Sequence, residues 1–252
     1  MPKNYSDQVV DIQKNYKEYY EAFKSSDPFN GPSLHFHTRA LGMRRAAFEK
    51  DSTEEQKKVF LEMIYATLVS WGMHSRAANM VNFDAFEKSI IDSWENVSNA
   101  QEYTLKNMDD KKWGVVKNIY KKVVIMSGNS HLVGNSKVMA HLLPNIAAPI
   151  DREYTMAFLN DNAKWGEKTQ IIANKKETKN EDETYKQWDI FYNVTKGFFH
   201  KIAQNESVKQ FYNECKGAYE WNTSLLKFID NLVIGAKQKK PKKTKNKMKK
   251  KE

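Results

Sequence analysis

Between His131 and Leu159 the chain reads HLVGNSKVMAHLLPNIAAPIDREYTMAFL, a stretch confined by one glycine, Pro144 and a Pro-Ile-Asp step more tightly than any other. Pro144 stops a short apolar helix that begins near Lys137, because proline lacks an amide hydrogen and clashes with the preceding turn. Ahead of that helix, Leu132-Val133-Gly134-Asn135-Ser136 reads as a tight turn between two helices. Gly134 is free to take positive φ, and Asn135 and Ser136 suit turn and cap positions. A helix start leaves backbone N–H groups without intrahelical partners, and such amides can grip a phosphate. Pro149-Ile150 favours an extended approach to Asp151, whose carboxylate then stands at the start of a helix over 151–160. One amine and one acid are thereby placed at two neighbouring helix starts.

The rest of the chain reads as helices. Val9, Ile12, Tyr16, Tyr19 and Phe23 predict a helix over 6–24, closed by Asp27-Pro28. Leu34, Phe36, Leu41 and Phe48 are candidate core, and His35-x-His37 among them has no third ligand near in sequence to make a metal site. Ser52-x-x-Glu55 reads as a capping box for a helix carrying Phe60, Ile64, Leu68 and Trp71, which Gly72 ends. A second stripe predicts one helix over 83–97. Asp109-Asp110 caps another that runs to Met126. After a polar segment over 160–183, three more apolar stripes follow: Trp188 to Ile202, Val208 to Cys215, and Leu225 to Val233. No alternating strand pattern, phosphate-loop motif, dinucleotide fingerprint or internal repeat is present. The expected class is all-α.

Charge is concentrated at one end. Residues 237–252 hold ten lysines and one glutamate, so this tail carries +9 of the net +10 and residues 1–236 are nearly neutral. Such a run cannot build a core and is expected to be solvated and disordered, or to attract a polyanion through counterion release. The expected division is one helical domain over 1–236, with a central unit at 110–160, followed by the tail. A single cysteine, Cys215, excludes an internal disulfide, a cysteine zinc site and a four-cysteine iron–sulfur cluster. With no apolar leader and no long apolar run, the expectation is a cytoplasmic protein that does not enter membranes.

Two segments carry a family likeness. LVGNSKVMA resembles the hairpin signature of helix-hairpin-helix DNA glycosylases, Leu-x-Gly-x-Gly-x-Lys-x-x-Ala, with Ser136 at the second glycine. LLPNIAAPIDREYT resembles the Pro-Val-Asp step of the same family. The archaeal 8-oxoguanine glycosylase branch is the nearest likeness, and IYATLVSWGMHSRAANMVNFDAFEKSI (64–90) and WNTSLLKFIDNLVIG (221–235) are similar to it too. The resemblance implies a helix-hairpin-helix bundle of two closely packed halves, acting as a monomer on damaged double-stranded DNA. It implies Lys137 and Asp151 as the catalytic pair, and Gly134, Asn135, Ser136 and Arg152 as DNA contacts. Trp71, His74, Arg76 and Trp221 would border a base pocket, and no cofactor is implied beyond a monovalent cation at the hairpin.

The chemistry fits that pair. Cleaving an N-glycosidic bond needs a nucleophile at C1′ and a carboxylate to activate it or to stabilise a cationic sugar. A lysine must be neutral to attack, and burial or the positive end of a helix dipole favours that form. An imine with the opened sugar would then permit strand cleavage by β-elimination. Simpler roles compete: Lys137 as a phosphate contact, Asp151 as an N-cap, and Trp71, Trp94 and Trp221 as plain core. A non-catalytic DNA-binding accessory protein on the same fold is the alternative, and a metal-dependent nuclease ranks last for want of strands to carry its site.

Overall fold

Apolar rows at helical spacing are what this chain must bury, and the helices arrange themselves around the longest of them. The computed structural model describes residues 4–26, 30–75, 79–128, 131–160 and 182–239; these are all-α, with one isolated bridge between Met80 and Met126 and no strand among the described residues. The order is α1 (Ser6–Ser26), α2 (Pro32–Ala47), α3 (Glu54–Ser70), α4 (Phe83–Ile91), α5 (Trp94–Asn99), α6 (Asp110–Lys122) and α7 (Leu132–Leu142). A π-helical turn, Arg152–Met156, leads into the short α8 (Ala157–Asn160). Next, α9 (Asp182–Val194) runs through a second π-turn, Thr195–Phe199, into α10 (His200–Ala203), followed by α11 (Glu206–Cys215) and α12 (Leu225–Lys239). The lysine-rich expectation falls on residues 240–252 and the polar segment on 161–181, both outside the described residues; residues 237–239 belong to α12.

The axis is α12, in which every residue from Leu226 to Ala236 is buried. A helix covered on all sides needs neighbours all round, and α1, α10, α11 and the π-turn after Asp151 supply them. Along α1 the residues Ile12, Tyr19, Tyr20 and Phe23 are buried. The second pairing, α2 against α3, is local in sequence. Beside the main core, Phe23, Trp221 and Ile234 form a smaller apolar cluster against which Trp71 and Tyr154 pack. No described helix is long and apolar enough to cross a membrane.

Several boundaries differ from those expected. The capping box of α3 is Thr53 with Gln56, one residue later than Ser52 and Glu55: Thr53 takes extended backbone, accepts from the Gln56 amide, and is bonded in return by the Gln56 side chain. Gly72, at φ 70, allows the chain to leave α3 as expected. The helix predicted over 83–97 is two, because the chain breaks at Asp92 and Ser93 between α4 and α5. Asp109 caps α6 through the Lys112 amide, but α6 stops at Lys122, and Val123–Met126 continues as the extended segment that meets Met80.

The largest correction concerns the turn. Residues 132–136 are the first part of α7, not a turn, and Gly134 is helical with no positive φ. Its glycine serves close packing, since a Cβ there would stand 2.7 Å from Ile125 Cγ2 and 3.0 Å from Met126 Cγ. The connection from α6 to α7 lies upstream of these residues, and a hairpin cation expected on 132–136 has no turn there to hold it.

Candidate functional site

Position along α7 decides what each residue of the central stretch can do. Asn135 and Ser136 are buried and face inward. The Asn135 amide donates to the carbonyls of Tyr120 and Val123, closing the C-terminal end of α6. Ser136 Oγ accepts from the Ile150 amide at 3.0 Å and lies 3.0 Å from the Val133 carbonyl. The first amides of α7, on His131 and Leu132, donate to Gln187 Oε1 at 2.6 and 2.7 Å. The helix start thus lies upstream of the residues expected to grip a phosphate, and a neutral oxygen from α9 occupies it. Gly134, Asn135 and Ser136 hold the fold together, and their side chains are not placed to meet DNA.

The Ser136 bond has a second effect. Ser136 precedes Lys137 and Ile150 precedes Asp151, so the bond between them sets the spacing of the next residue pair. Lys137 Nζ lies 3.3 Å from Asp151 Oδ2. The two side chains retain 7% and 18% of their exposure, little enough for the pair to interact strongly and enough to be reached. Asp151 also caps the following π-turn, its Oδ1 accepting from the Glu153 amide at 2.8 Å. Capping and pairing thus use different oxygens of one carboxylate. Lys137 was expected in the first turn of its helix but lies in the second, so burial beside Met73 and Trp71 shapes its surroundings more than the helix end does. Ser136→Ala would leave the buried Ile150 amide unpaired. We expect a loss of about 1–3 kcal/mol in urea unfolding, with α-helical content unchanged by circular dichroism.

Lys137 and Asp151 open onto a cleft of ≈ 200 Å³. Trp71 and Trp221 form its walls, their ring centroids 6.4 Å apart, and Tyr154 and Ile234 complete the apolar lining. The buried indole N–H of Trp71 has no hydrogen-bond partner among the described residues. Two further charges enter from α12: Lys227 Nζ donates to Asp230 Oδ2 at 2.7 Å and to Asn231 Oδ1 at 2.6 Å. Burial raises the Asp230 carboxyl above its ordinary pKa although Lys227 acts in the opposite direction. The cleft therefore contains two lysine–aspartate pairs, each ammonium lying over an indole, at 5.3 Å for Lys137 on Trp71 and 5.1 Å for Lys227 on Trp221.

No family model matches the chain, and no characterised protein or solved structure shows significant similarity to it. The site must be read from its own geometry.

Sequence reasoning placed Lys137, Asp151, Trp71 and Trp221 in one site, and the structure brings these four together. His74 is exposed, its ring bonded to the Val69 carbonyl, and does not line the cleft. Arg76 lies outside the described residues. Arg152, next to Asp151, is exposed. Trp94 belongs to the opposite core, stacked on Phe48 at 4.7 Å. Lys227, Asp230 and Asn231 were missed. Their signal was present: charged and amide residues at i, i+3 and i+4 on an otherwise apolar helix share one face, which a covered helix buries.

Proposed function

We propose that the protein is a DNA base-excision glycosylase with abasic-site lyase activity, acting on a nucleotide turned out of the duplex. The observation that carries this reading is the Lys137–Asp151 pair at the floor of a cleft walled by two indoles. A flat base entering between Trp71 and Trp221 would exchange stacking in the duplex for stacking on protein rings. The present gap is narrower than a base needs, so one wall must give by a fraction of an ångström to an ångström. The unpaired Trp71 N–H offers a donor to whatever enters.

In this reading Asp151 takes a proton from the Lys137 ammonium, and the free amine attacks C1′. The bond from C1′ to the base nitrogen breaks, the base leaves with a proton, and the sugar ring opens to give a protonated imine with the lysine. Loss of a C2′ proton then expels the 3′-phosphate. Lys137 is better suited than Lys227 to this task, because its carboxylate partner Asp151 keeps 18% of its side-chain exposure against 7% for Asp230. The resemblance in 132–159 and the lysine-rich residues 237–252 support DNA as the partner. The second reading, a DNA-binding accessory protein without catalysis, rests on the departure from the family's hairpin, with Ser136 in place of its second glycine.

Borohydride trapping separates the two. Incubation with duplex DNA bearing an abasic site or an oxidised purine, followed by reduction, should give a covalent adduct through a secondary amine. Lys137→Ala should abolish the adduct and Lys227→Ala should not. Binding without adduct or base release on every lesion would leave only the accessory reading.

A further inference from the structure

A row of hydrogen bonds runs behind the cleft, joining three elements far apart in sequence. His37 comes from α2, His141 from α7 one turn beyond Lys137, and Thr223 from the segment before α12. His141 Nδ1 lies 2.7 Å from the Lys137 carbonyl, its Nε2 lies 2.9 Å from His37 Nδ1, and His37 Nε2 lies 3.0 Å from Thr223 Oγ1. One proton arrangement makes all three bonds with neutral rings. A carbonyl only accepts, so His141 carries its hydrogen on Nδ1 and offers a lone pair at Nε2. His37 must then donate from Nδ1, and Thr223 must donate to His37 Nε2. Both rings are thus fixed as Nδ1–H tautomers, and every bond points the same way, toward the carbonyl of Lys137.

The same rings hold the walls. His37 stacks on Trp221, with centroids 5.2 Å apart and planes at 18°, and packs against Trp71 at 5.6 Å. His141 contacts Trp71 at 5.5 Å. An imidazole bonded through both nitrogens cannot turn about its own bonds, so each indole rests on a plane referenced to α7. We infer that His37 and His141 are positioning residues, which together with Thr223 align both indole walls with the helix that presents Lys137. This rests on the repair reading for its chemistry, though not for its geometry.

The row has no place for an added proton on His141. A hydrogen on His141 Nε2 would face the His37 N–H across 2.9 Å. The charged groups facing the rings are the ammoniums of Lys137 on α7 and Lys227 on α12, whose partners Asp151 and Asp230 lie beyond them in the cleft. Burial, with Lys227 and Lys137 behind it and against the bond to the Lys137 carbonyl, pushes His141 down to about 4; burial, then His141 and Lys227, pushes His37 well below its ordinary value.

Nitrogen NMR of the full chain labelled at histidine tests the arrangement. Two rings should appear as Nδ1–H tautomers with shifts flat between about pH 8 and pH 5. An Nε2–H tautomer at either ring, or titration near the ordinary value, overturns the inference. His37→Phe keeps a ring against Trp221 and removes both bonds. Adduct formation with abasic-site DNA should fall about tenfold or more, while affinity for the same DNA stays within about twofold. Thr223→Val, a smaller change, should lower the rate less, and Thr223→Ser should restore it. An unchanged rate in both His37→Phe and Thr223→Val overturns the positioning role. Should the unaltered chain form no adduct, the repair reading falls by itself, and the ring spectra with their response to Thr223→Val still decide the row.

Discussion

Gly235→Ala should lower the melting temperature by roughly 4–12 °C, the largest effect expected of one methyl group at any described glycine. Gly235 lies in α12 where α1 crosses it, and a Cβ built there falls 1.9 Å from the Tyr19 carbonyl oxygen, 2.9 Å from its carbon and 3.1 Å from the Phe23 amide nitrogen. All three atoms are backbone. No rotamer change relieves the contact, so α1 must move away bodily, and Tyr19, Tyr20 and Phe23 lose part of their packing with it. Overpacking a core costs about 1–3 kcal/mol, with backbone clashes at the upper end, against a gain of up to about 1 kcal/mol from replacing glycine in a helix. A net loss of about 2–3 kcal/mol is expected, a large share of a stability of about 5–15 kcal/mol. Gly42→Ala in α2 is the matched control: nothing lies within 4 Å of its Cβ, so propensity alone should act and stabilise slightly. Scanning calorimetry on both variants decides the matter, and a Gly235→Ala chain as stable as the parent would mean that the two helices do not approach this closely.

The second large effect is expected from Asp230→Ala, at about 3–5 kcal/mol of destabilisation in urea. Lys227 and Asp230 keep only 7% of their side-chain exposure, so removing the carboxylate leaves a largely buried ammonium without the partner that neutralises it, though still bonded to Asn231. Taking both charges away has a different outcome: Lys227→Met with Asp230→Leu should be near neutral or stabilising, because the pair's own desolvation cost disappears with it. Asn231 would then lose one partner but keep its bonds to the Trp221 carbonyl and Asn222. A double variant as damaged as the single one would show that the pair itself, and not the unpaired charge, carries the stability.

The apolar spacing in the sequence was enough to reveal an all-α chain, whereas the meeting of Lys137 and Asp151 was expected from two helix starts and a family likeness, of which only the start at Asp151 is present. What escaped was contact at a distance. Gly134 was read as a turn because glycine permits positive φ, yet a glycine chosen for close approach to Ile125 looks identical in sequence. The stripe from Phe83 to Val97 gave no sign of its break, since both short helices continue the same apolar rhythm. His37 was weighed only as half of a metal pair with His35, because its partner His141 is 104 positions away. Lys227 and Asp230 were passed over because charges on a helix are normally solvated, and only the full enclosure of α12 makes these two an exception.

The partnership of α1 and α12 also bears on how the molecule is made. Tyr20 and Asn222, which bond across the two ends, are separated by 202 positions, so a ribosome releases α1 long before anything can cover it. The pair α2 and α3 can close at once, being neighbours in sequence, while the apolar side of α1 waits for a chaperone or a temporary local contact. The pocket that holds Trp221, Lys227 and Asp230 comes into being only with the last helix, so a shortened nascent chain has most of the bundle and no site.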